Sequence, residues 1–580
     1  MKNNIISIIL AGAAIISASS CSKFLSEQVP QGQLTDKQIN NPAYVDNMVT
    51  SAYAIFTSAE DINSSFSLWN FDVRSDDAYK GGSSPSDGNV FHQLEVEKGI
   101  DTGAWNINGI WERFYNAISR VNSAIAAVEK SSDSFELKNQ RLGELRFLRA
   151  YAHFQLKRLF KQIPFVTRTD YTYAQYGEIS NTEFTNDEGW LEIIKDLEYA
   201  YGVLPATQAD KGRPTKAACA AFLAKVFLYK AYHQDTEMSN AITEIREADL
   251  RMVLDYTDPL IYSEGGYDLE KDIHNNFRPE EQYENGCESL WAIQYSRNDG
   301  STYGNLNWGY GLIVPNITEV TDGGCDFYKP SQNLVNAFRT DEEGYPLIND
   351  FNKENLDYTK HNTDPRLYLT VGMPGLPYMF NENFIMDRSS SWSRSGGTYG
   401  YYVTLKHNVD PALIGSYLIH GSYWASSMNR IVFRYADVIL MRAEAYAQLG
   451  EGKKAIAEVN KIRNRAAAST QTIANYPSKY GVKFYCRPYD EQKDYTREEA
   501  FNIVKIERRL ELAMESERFF DLVRWGEAKS TLDKYFAEEI ESCNIYTEAD
   551  FTADKNEYLP IPFSQISAAN GHYKQNSTQW

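Results

Sequence analysis

Trp111-Glu112-Arg113-Phe114-Tyr115-Asn116-Ala117-Ile118-Ser119-Arg120-Val121-Asn122-Ser123-Ala124-Ile125 is the stretch that decides the fold. Trp111, Tyr115, Ile118, Asn122 and Ile125 recur at i, i+4, i+7, i+11 and i+14, which lays one mostly apolar face along a helix. After a break at Ser131–Ser134, Leu142, Leu145, Leu148, Ala152 and Leu159 start a second helix that ends near Pro164. The pairing then recurs. Trp190, Ile194, Leu197, Tyr201 and Leu204, stopped by Pro205, are followed by Ala217, Ala221, Ala224, Leu228 and Ala231, whose small side chains let a neighbouring helix approach closely. Val438, Met441, Ala445 and Leu449 end at Gly450, and Ala455, Val459 and Ile462 follow directly. Ile503, Ile506, Leu510 and Met514 precede a short aromatic helix over Phe519–Trp525. Amphipathic hairpins that cannot bury their faces alone stack on one another. The reading is a mainly α chain: a TPR-like helical-repeat scaffold of four helix pairs, over about 109–235 and 430–530. Its spacing departs from the roughly 34 residues of a true tetratricopeptide array.

Two stretches break this periodicity. Residues from about 255 to 430 are rich in Gly, Asn, Ser and aromatics, as in Tyr303-Gly304-Asn305-Leu306-Asn307-Trp308-Gly309-Tyr310 and Trp392-Ser393-Arg394-Ser395-Gly396-Gly397. A second such stretch runs from about 55 to 108. Long irregular loops on a rigid scaffold tend to carry function, so these stretches read as a ligand-facing, loop-rich aromatic layer. With 40 Tyr, 28 Phe and 10 Trp the chain is 13% aromatic. Tyr and Trp join a flat apolar face to a polar tip, which suits wet binding surfaces as well as cores.

The first twenty residues differ from all others. Lys2 is their only charge, Ile5–Ile16 is a short apolar run, and Ala18-Ser19-Ser20 leads into Cys21. That is the order of a secretory signal peptide, 1–20, and the run is too short to span a bilayer. Small residues directly before a cysteine resemble a bacterial lipobox, with Cys21 as the lipidated residue, although Ala18 stands where Leu is usual. A plain secreted protein with a chance cysteine is the alternative. Residues 21–580 then form one domain. Without Lys2 the chain carries 57 basic against 78 acidic residues, a net charge of −21, which disfavours nucleic acid and anionic lipid as partners. Cys219, Cys287, Cys325, Cys486 and Cys543 are widely spaced; they allow one bridge, form no disulfide scaffold, and none has metal-site spacing.

No HExxH, GxSxG, P-loop or helix-opening GxGxxG is present, so the chain reads as a non-enzyme with no catalytic residues, cofactor or metal. His153 and His233 sit in helical blocks and read as surface or core. Paired carboxylates such as Asp76-Asp77 are expected by chance among 78 acidic residues. Glu507–Trp525 alternates acid and base at i+3 and i+4 spacing, and Arg430, Arg434, Asp437, Arg442 and Glu444 extend the pattern. All of these read as structural ion pairs, each worth about 0.2–0.5 kcal/mol if exposed.

Those same residues carry a resemblance. Arg434–Ala445, Glu507–Trp525, Tyr558-Leu559-Pro560-Ile561-Pro562, Gly143–Tyr151 and Gly212–Ala218 look like the SusD/RagB family, in family order from Cys21 to Trp580. The resemblance implies an outer-membrane lipoprotein facing the cell exterior. Its partners would be an oligosaccharide and a SusC-like TonB-dependent transporter, over which it acts as a lid; the RagB-like branch takes peptides. Asp61–Asn70 and Cys325–Asn333 resemble levan-binding members in particular, which implies a β-fructan ligand such as levan or oligofructose, with another glycan or a peptide as the alternative. Matching that pattern puts the ligand on Asp61, Asn63, Asp87, Trp105, Cys325, Arg394 and Tyr423, with the register least secure after 325. The residue types suit a neutral polyol. Carboxylates accept from hydroxyls, Asn both donates and accepts, Arg offers a fork of donors, and Trp supplies a flat face. Each also has a plain reading: Asp61 and Asn63 as a turn or cap, Trp105 as core, Cys325 as pocket lining. Such a site would bind with roughly millimolar to micromolar Kd.

Overall fold

The computed structural model describes residues 41–57, 68–132, 135–171, 173–234, 236, 238–262, 266–300, 304–317, 323–420 and 424–580. Cys21, Asp61, Asn63 and Tyr423 lie outside them.

Helices set the architecture. In chain order they include α1 (Pro42–Ala54), α2 (Asn89–Glu95), α3 (Trp105–Lys130), α4 (Lys138–Phe160), α5 (Asn186–Val203), α6 (Lys216–Ala231) and α7 (Glu247–Tyr262). The C-terminal half adds α8 (Tyr435–Gln448), α9 (Gly452–Ala468), α10 (Arg497–Glu511), α11 (Arg518–Arg524), α12 (Ala528–Glu539) and α13 (Phe563–Ala568). The α3/α4, α5/α6 and α8/α9 pairs pack as the periodicity predicts, and α4, α5 and α6 continue the stack side by side. The TPR-like scaffold is therefore present. Local chemistry explains its boundaries: Thr185/Glu188 and Thr496/Glu499 form capping boxes that start α5 and α10.

Several elements lie where the sequence reads as loop or carries no assignment. Helix α7 packs on α6 and α8, bridging the two halves of the scaffold, and runs through Pro259 to Tyr262, inside the stretch read as irregular. Helix α2 and the first turn of α3 fall before residue 109. In the fourth pair, α10 packs across α8 and α9. Helix α4 lacks the expected apolar stripe because it is buried all round, by α3 on one side, α5 on another and the C-terminal segment on a third. That segment is tied to the end of α4: the Leu559 N–H donates to Leu159 O (2.7 Å) and Asn576 Nδ2 to Phe160 O (2.8 Å).

The loop-rich layer has its own core, containing Phe91, Tyr310, Phe327, Tyr328, Leu334, Phe338 and Leu367. Short antiparallel ribbons organise it. Strand β1 (Ala78–Gly81) and strand β2 (Ser289–Ile293) precede β3 (Phe327–Pro330) and β4 (Arg430–Arg434); β1 pairs with β3 and β2 with β4. Trp291 of β2 meets Phe147 of α4 at 4.9 Å, and Phe433 of β4 meets Phe222 of α6 at 4.9 Å, which seats that ribbon on the scaffold.

Buried charge joins layer to scaffold. Glu511 of α10 accepts from Arg434 of β4 (2.7 Å), Arg366 of the loop layer (3.1 Å) and Arg465 of α9. Burial alone would push this carboxyl up; Arg465, Arg434, Arg366 and Lys406 outweigh it and hold it well below the usual carboxylate range. Arg508 of α10 likewise holds Asp437 and Asp521, each at 2.9 Å. The structural ion pairs read from this run are thus interior, a different energetic regime from exposed pairs. Asp76 and Asp77 belong to the same system: Arg518 takes Asp76 and Arg509 takes Asp77, each at 2.8 Å, which anchors the start of β1. All five cysteines from Cys219 onward are free.

Candidate functional site

The β1/β3 ribbon brings two distant loops together. Its register pairs Gly81 with Phe327, and the Gly82 N–H donates to Asp326 O (2.8 Å). Gly81 must be glycine: it sits at φ 78°, and a Cβ there would lie 2.3 Å from Asp326 O. The turn Gly82-Ser83-Ser84-Pro85-Ser86-Asp87-Gly88 that follows is filled from beneath by Lys80, whose ammonium donates to Gly81 O (2.9 Å), Ser84 O (2.9 Å) and Asp87 O (2.7 Å). Burial lowers the Lys80 ammonium to about 8, against the opposing pull of Glu95 and Asp87.

Asp87 stands on this turn and Cys325 on the facing one. Asp87 Oδ2 accepts from the Ser83 N–H and hydroxyl (both 2.9 Å) and from Arg394 Nη1 (3.2 Å). The same Nη1 donates to Cys325 O (3.2 Å). Arg394 is held from its backbone, because its N–H and the Ser393 hydroxyl both donate to Asp326 Oδ2 (2.9 and 3.0 Å), and Lys329 donates to the other Asp326 oxygen (2.8 Å). Three of the sequence-derived residues, Asp87, Cys325 and Arg394, therefore meet in one cluster at the surface. Partial burial raises the Asp87 carboxyl, but the two Ser83 donors, Arg394 and Lys80 outweigh it and leave it below its ordinary value. Burial pushes the Cys325 thiol up, away from the thiolate form, and its carbonyl is the group that joins the cluster.

Trp105 borders the cluster through an aromatic chain. Its ring stands edge-on to Phe91 (6.1 Å, 77°), and Phe91 stands edge-on to Phe327 (6.4 Å, 84°), the residue next to Asp326. Asp101 makes the turn that launches α3, accepting from the Gly103 N–H (2.9 Å) at its side chain and from the Ala104 N–H (3.0 Å) at its carbonyl. As the first residue of the helix, Trp105 projects past the core, with 48% of its surface exposed. A core role for Trp105 is thereby excluded.

The arrangement leaves polar capacity open. All protein contacts of the Asp87 carboxylate fall on Oδ2, and those of the Arg394 guanidinium on Nη1. Asp87 Oδ1 and Arg394 Nε and Nη2 have no protein partner among the described residues. An acceptor, a fork of donors and a flat apolar ring on one surface fit a ligand with hydroxyls and C–H faces. Ser83, Asp326 and Ser393, which position these groups, were not singled out from sequence. The Gly81-Gly82-Ser83-Ser84-Pro85 run is the signal that marks the turn.

Known proteins share this chain's fold and sequence pattern. The family model described as "SusD family" matches residues 287–580, and the one described as "Starch-binding associating with outer membrane" matches 23–228. SusD-like protein P2 of Formosa agariphila is 25% identical over 473 residues, 81% of this chain and 79% of that protein. A SusD-like protein from Bacteroides fragilis has the same fold, with a TM-score of 0.69 at 20% identity, covering 94% of this chain and 98% of that one. So has surface glycan-binding protein A from Bacteroides thetaiotaomicron, solved with laminarihexaose, with a TM-score of 0.65 at 21% identity, covering 92% and 99%.

Proposed function

This chain belongs to the SusD family, and from that premise we propose that it is a cell-surface protein that captures an oligosaccharide without altering it. One observation carries the reading: the unpartnered Asp87 Oδ1 and Arg394 fork beside the half-exposed Trp105 ring. Hydroxyls bridge to charged groups at about 1.5–3 kcal/mol each, and most of that is offset by desolvation and ordering. The net is weak, reversible binding, as a protein that must release its cargo requires.

The preferred ligand is a β-fructan, levan or oligofructose, on the resemblance of Cys325–Asn333 to levan-binding members. Asp61, Asn63 and Tyr423 complete the proposed site. A second reading is a β-glucan, since the similarly folded glycan-binding protein A was solved with laminarihexaose. The wider proposal covers residues 21–580 as one domain, tethered by lipid on Cys21 to the outer face of the outer membrane and closing over a SusC-like transporter. A tether keeps capture and closure local. Calorimetry against levan, inulin, laminarin and starch tests the ligand. Heat with levan and no new reducing ends is expected; heat with laminarin alone would move the assignment to β-glucan, and heat with none would overturn glycan capture.

A further inference from the structure

We infer that the binding surface does not end at Trp105 but continues along α3 as a track for a longer glycan chain, with Phe563 as a second stacking platform; this rests on the glycan-binding reading above. Phe563 is 64% exposed, the highest value among the exposed large apolar side chains of the described residues. Single exposed apolar side chains are ordinary. This one is placed with care. Its backbone N–H donates to Thr102 O (2.9 Å), and Thr102 precedes Trp105 by three residues, no more than about 11 Å of chain. Two rings open to solvent are thus anchored at the start of one helix.

The residues next to Phe563 fix it there. The Ser564 hydroxyl and Gln565 Nε2 both donate to Asn108 Oδ1 (2.7 and 3.0 Å), and Gln565 Nε2 also reaches Glu112 Oε1 (3.4 Å). Asn108 and Glu112 follow Trp105 by three and seven residues, so all three share a helix face. Asn108 Nδ2 and Gln565 Oε1 have no protein partner among the described residues, leaving a donor and an acceptor beside the two rings. From Glu112 the same face runs into a groove of about 640 Å³ beside α1, where Asn116, Ser119 and Ser123 present amides and hydroxyls, with Arg113 and Arg120 along its edges and Met48 and Ile55 on the facing wall. Aromatic platforms followed by amides, hydroxyls and guanidinium donors set against apolar side chains match an extended polyol, whose successive rings offer alternating C–H faces and hydroxyls. The ligand class is therefore a polysaccharide segment longer than the Asp87–Trp105 cluster holds.

The test titrates the full chain and its variants with a fructan tetrasaccharide and with levan, and in parallel with laminarihexaose and laminarin. Phe563→Ala is expected to weaken polymer binding by about tenfold or more while leaving the short ligand unchanged, and Phe563→Tyr to restore the polymer. Trp105→Ala is expected to weaken both. Because Phe563 is exposed, the thermal midpoint should not move, which a melting curve checks. If Phe563→Ala binds polymer as tightly as the parent while Trp105→Ala loses both ligands, the track is overturned and the primary site stands. If Trp105→Ala binds both ligands normally, the site reading fails and the track with it.

Discussion

Arginine meets carboxylate in two regions of this molecule, and the same chemistry serves opposite ends in them. At the junction of α9, α10 and β4, Glu511 is fully buried among Arg366, Arg434 and Arg465, whose side chains are at most 5% exposed. At the β1/β3 turn, Asp87 and Arg394 pair at 3.2 Å with side chains 30% and 34% exposed. In the first region every charge is matched because an unmatched one would be intolerable; breaking such a system costs far more than its formation contributes. In the second, part of each group has no protein partner among the described residues and faces solvent, which is what the proposed ligand site requires. Burial, not residue type, divides the structural network from the proposed site.

The comparison breaks most visibly at Glu511. Replacing it with Ala leaves three buried guanidiniums short of a partner and should cost about 3–5 kcal/mol, enough to remove much of the stability of a typical domain. Urea denaturation reads this as a lower midpoint; an unchanged midpoint would mean that the network is no keystone. Trp105→Ala comes next and acts on the other side. It should leave the denaturation midpoint in place and weaken glycan binding by about 2 kcal/mol, roughly thirtyfold, in calorimetry.

Arg394→Ala is the smaller counterpart of Glu511→Ala. A part-exposed pair contributes about 0–1 kcal/mol to stability, so the midpoint should barely move. Affinity should fall about fivefold to tenfold as the donor fork is lost. High salt sharpens the contrast: at about 1 M the Debye length falls to about 3 Å, and the stability difference between Arg394→Ala and the parent should vanish. The deficit of Glu511→Ala should persist, since the buried charges lie beyond the reach of mobile ions.

How much of this was legible in the sequence follows the same division. Helices with one apolar stripe, α3 above all, could be read because periodicity reports a single buried face. Helix α4 could be placed but not oriented, since it is buried all round, and α7, whose Leu250, Val253, Leu254 and Leu260 do line one buried face, was hidden by Pro259, which reads as a break at the edge of the loop-rich stretch. The charged run Glu507–Trp525 announced a network but not its burial, because i+4 spacing looks the same on an exposed face as inside. At the site, Asp87, Trp105, Cys325 and Arg394 came from the family pattern. Asp326 and Ser393 did not, because their contacts join segments far apart in the chain, through the Gly81–Phe327 register and the Ser393–Asp326 bond, which no local pattern encodes. Ser83 lies on a turn the sequence marks, but its bonds to Asp87 four residues on depend on how that turn closes.

Acid gives the finest test of the comparison. The Asp87 carboxyl is held below its ordinary value, so the folded site binds its proton less readily than an unfolded chain does. A depressed carboxylate contributes stability that is present above its unfolded value, about 3.9, and is lost as pH falls through the folded one. Between pH 7 and 5 glycan affinity should therefore be flat, because Asp87 remains ionised throughout. Only below about 4 should it decline, as protonation removes acceptor strength at Oδ1 and releases Arg394. Asp87→Asn should abolish that acid limb while keeping the Ser83 contacts through its amide oxygen, at a small cost in affinity at pH 7. An acid limb that survives in Asp87→Asn would assign the titration to another carboxylate, and the surface pair would then be as structural as the buried one.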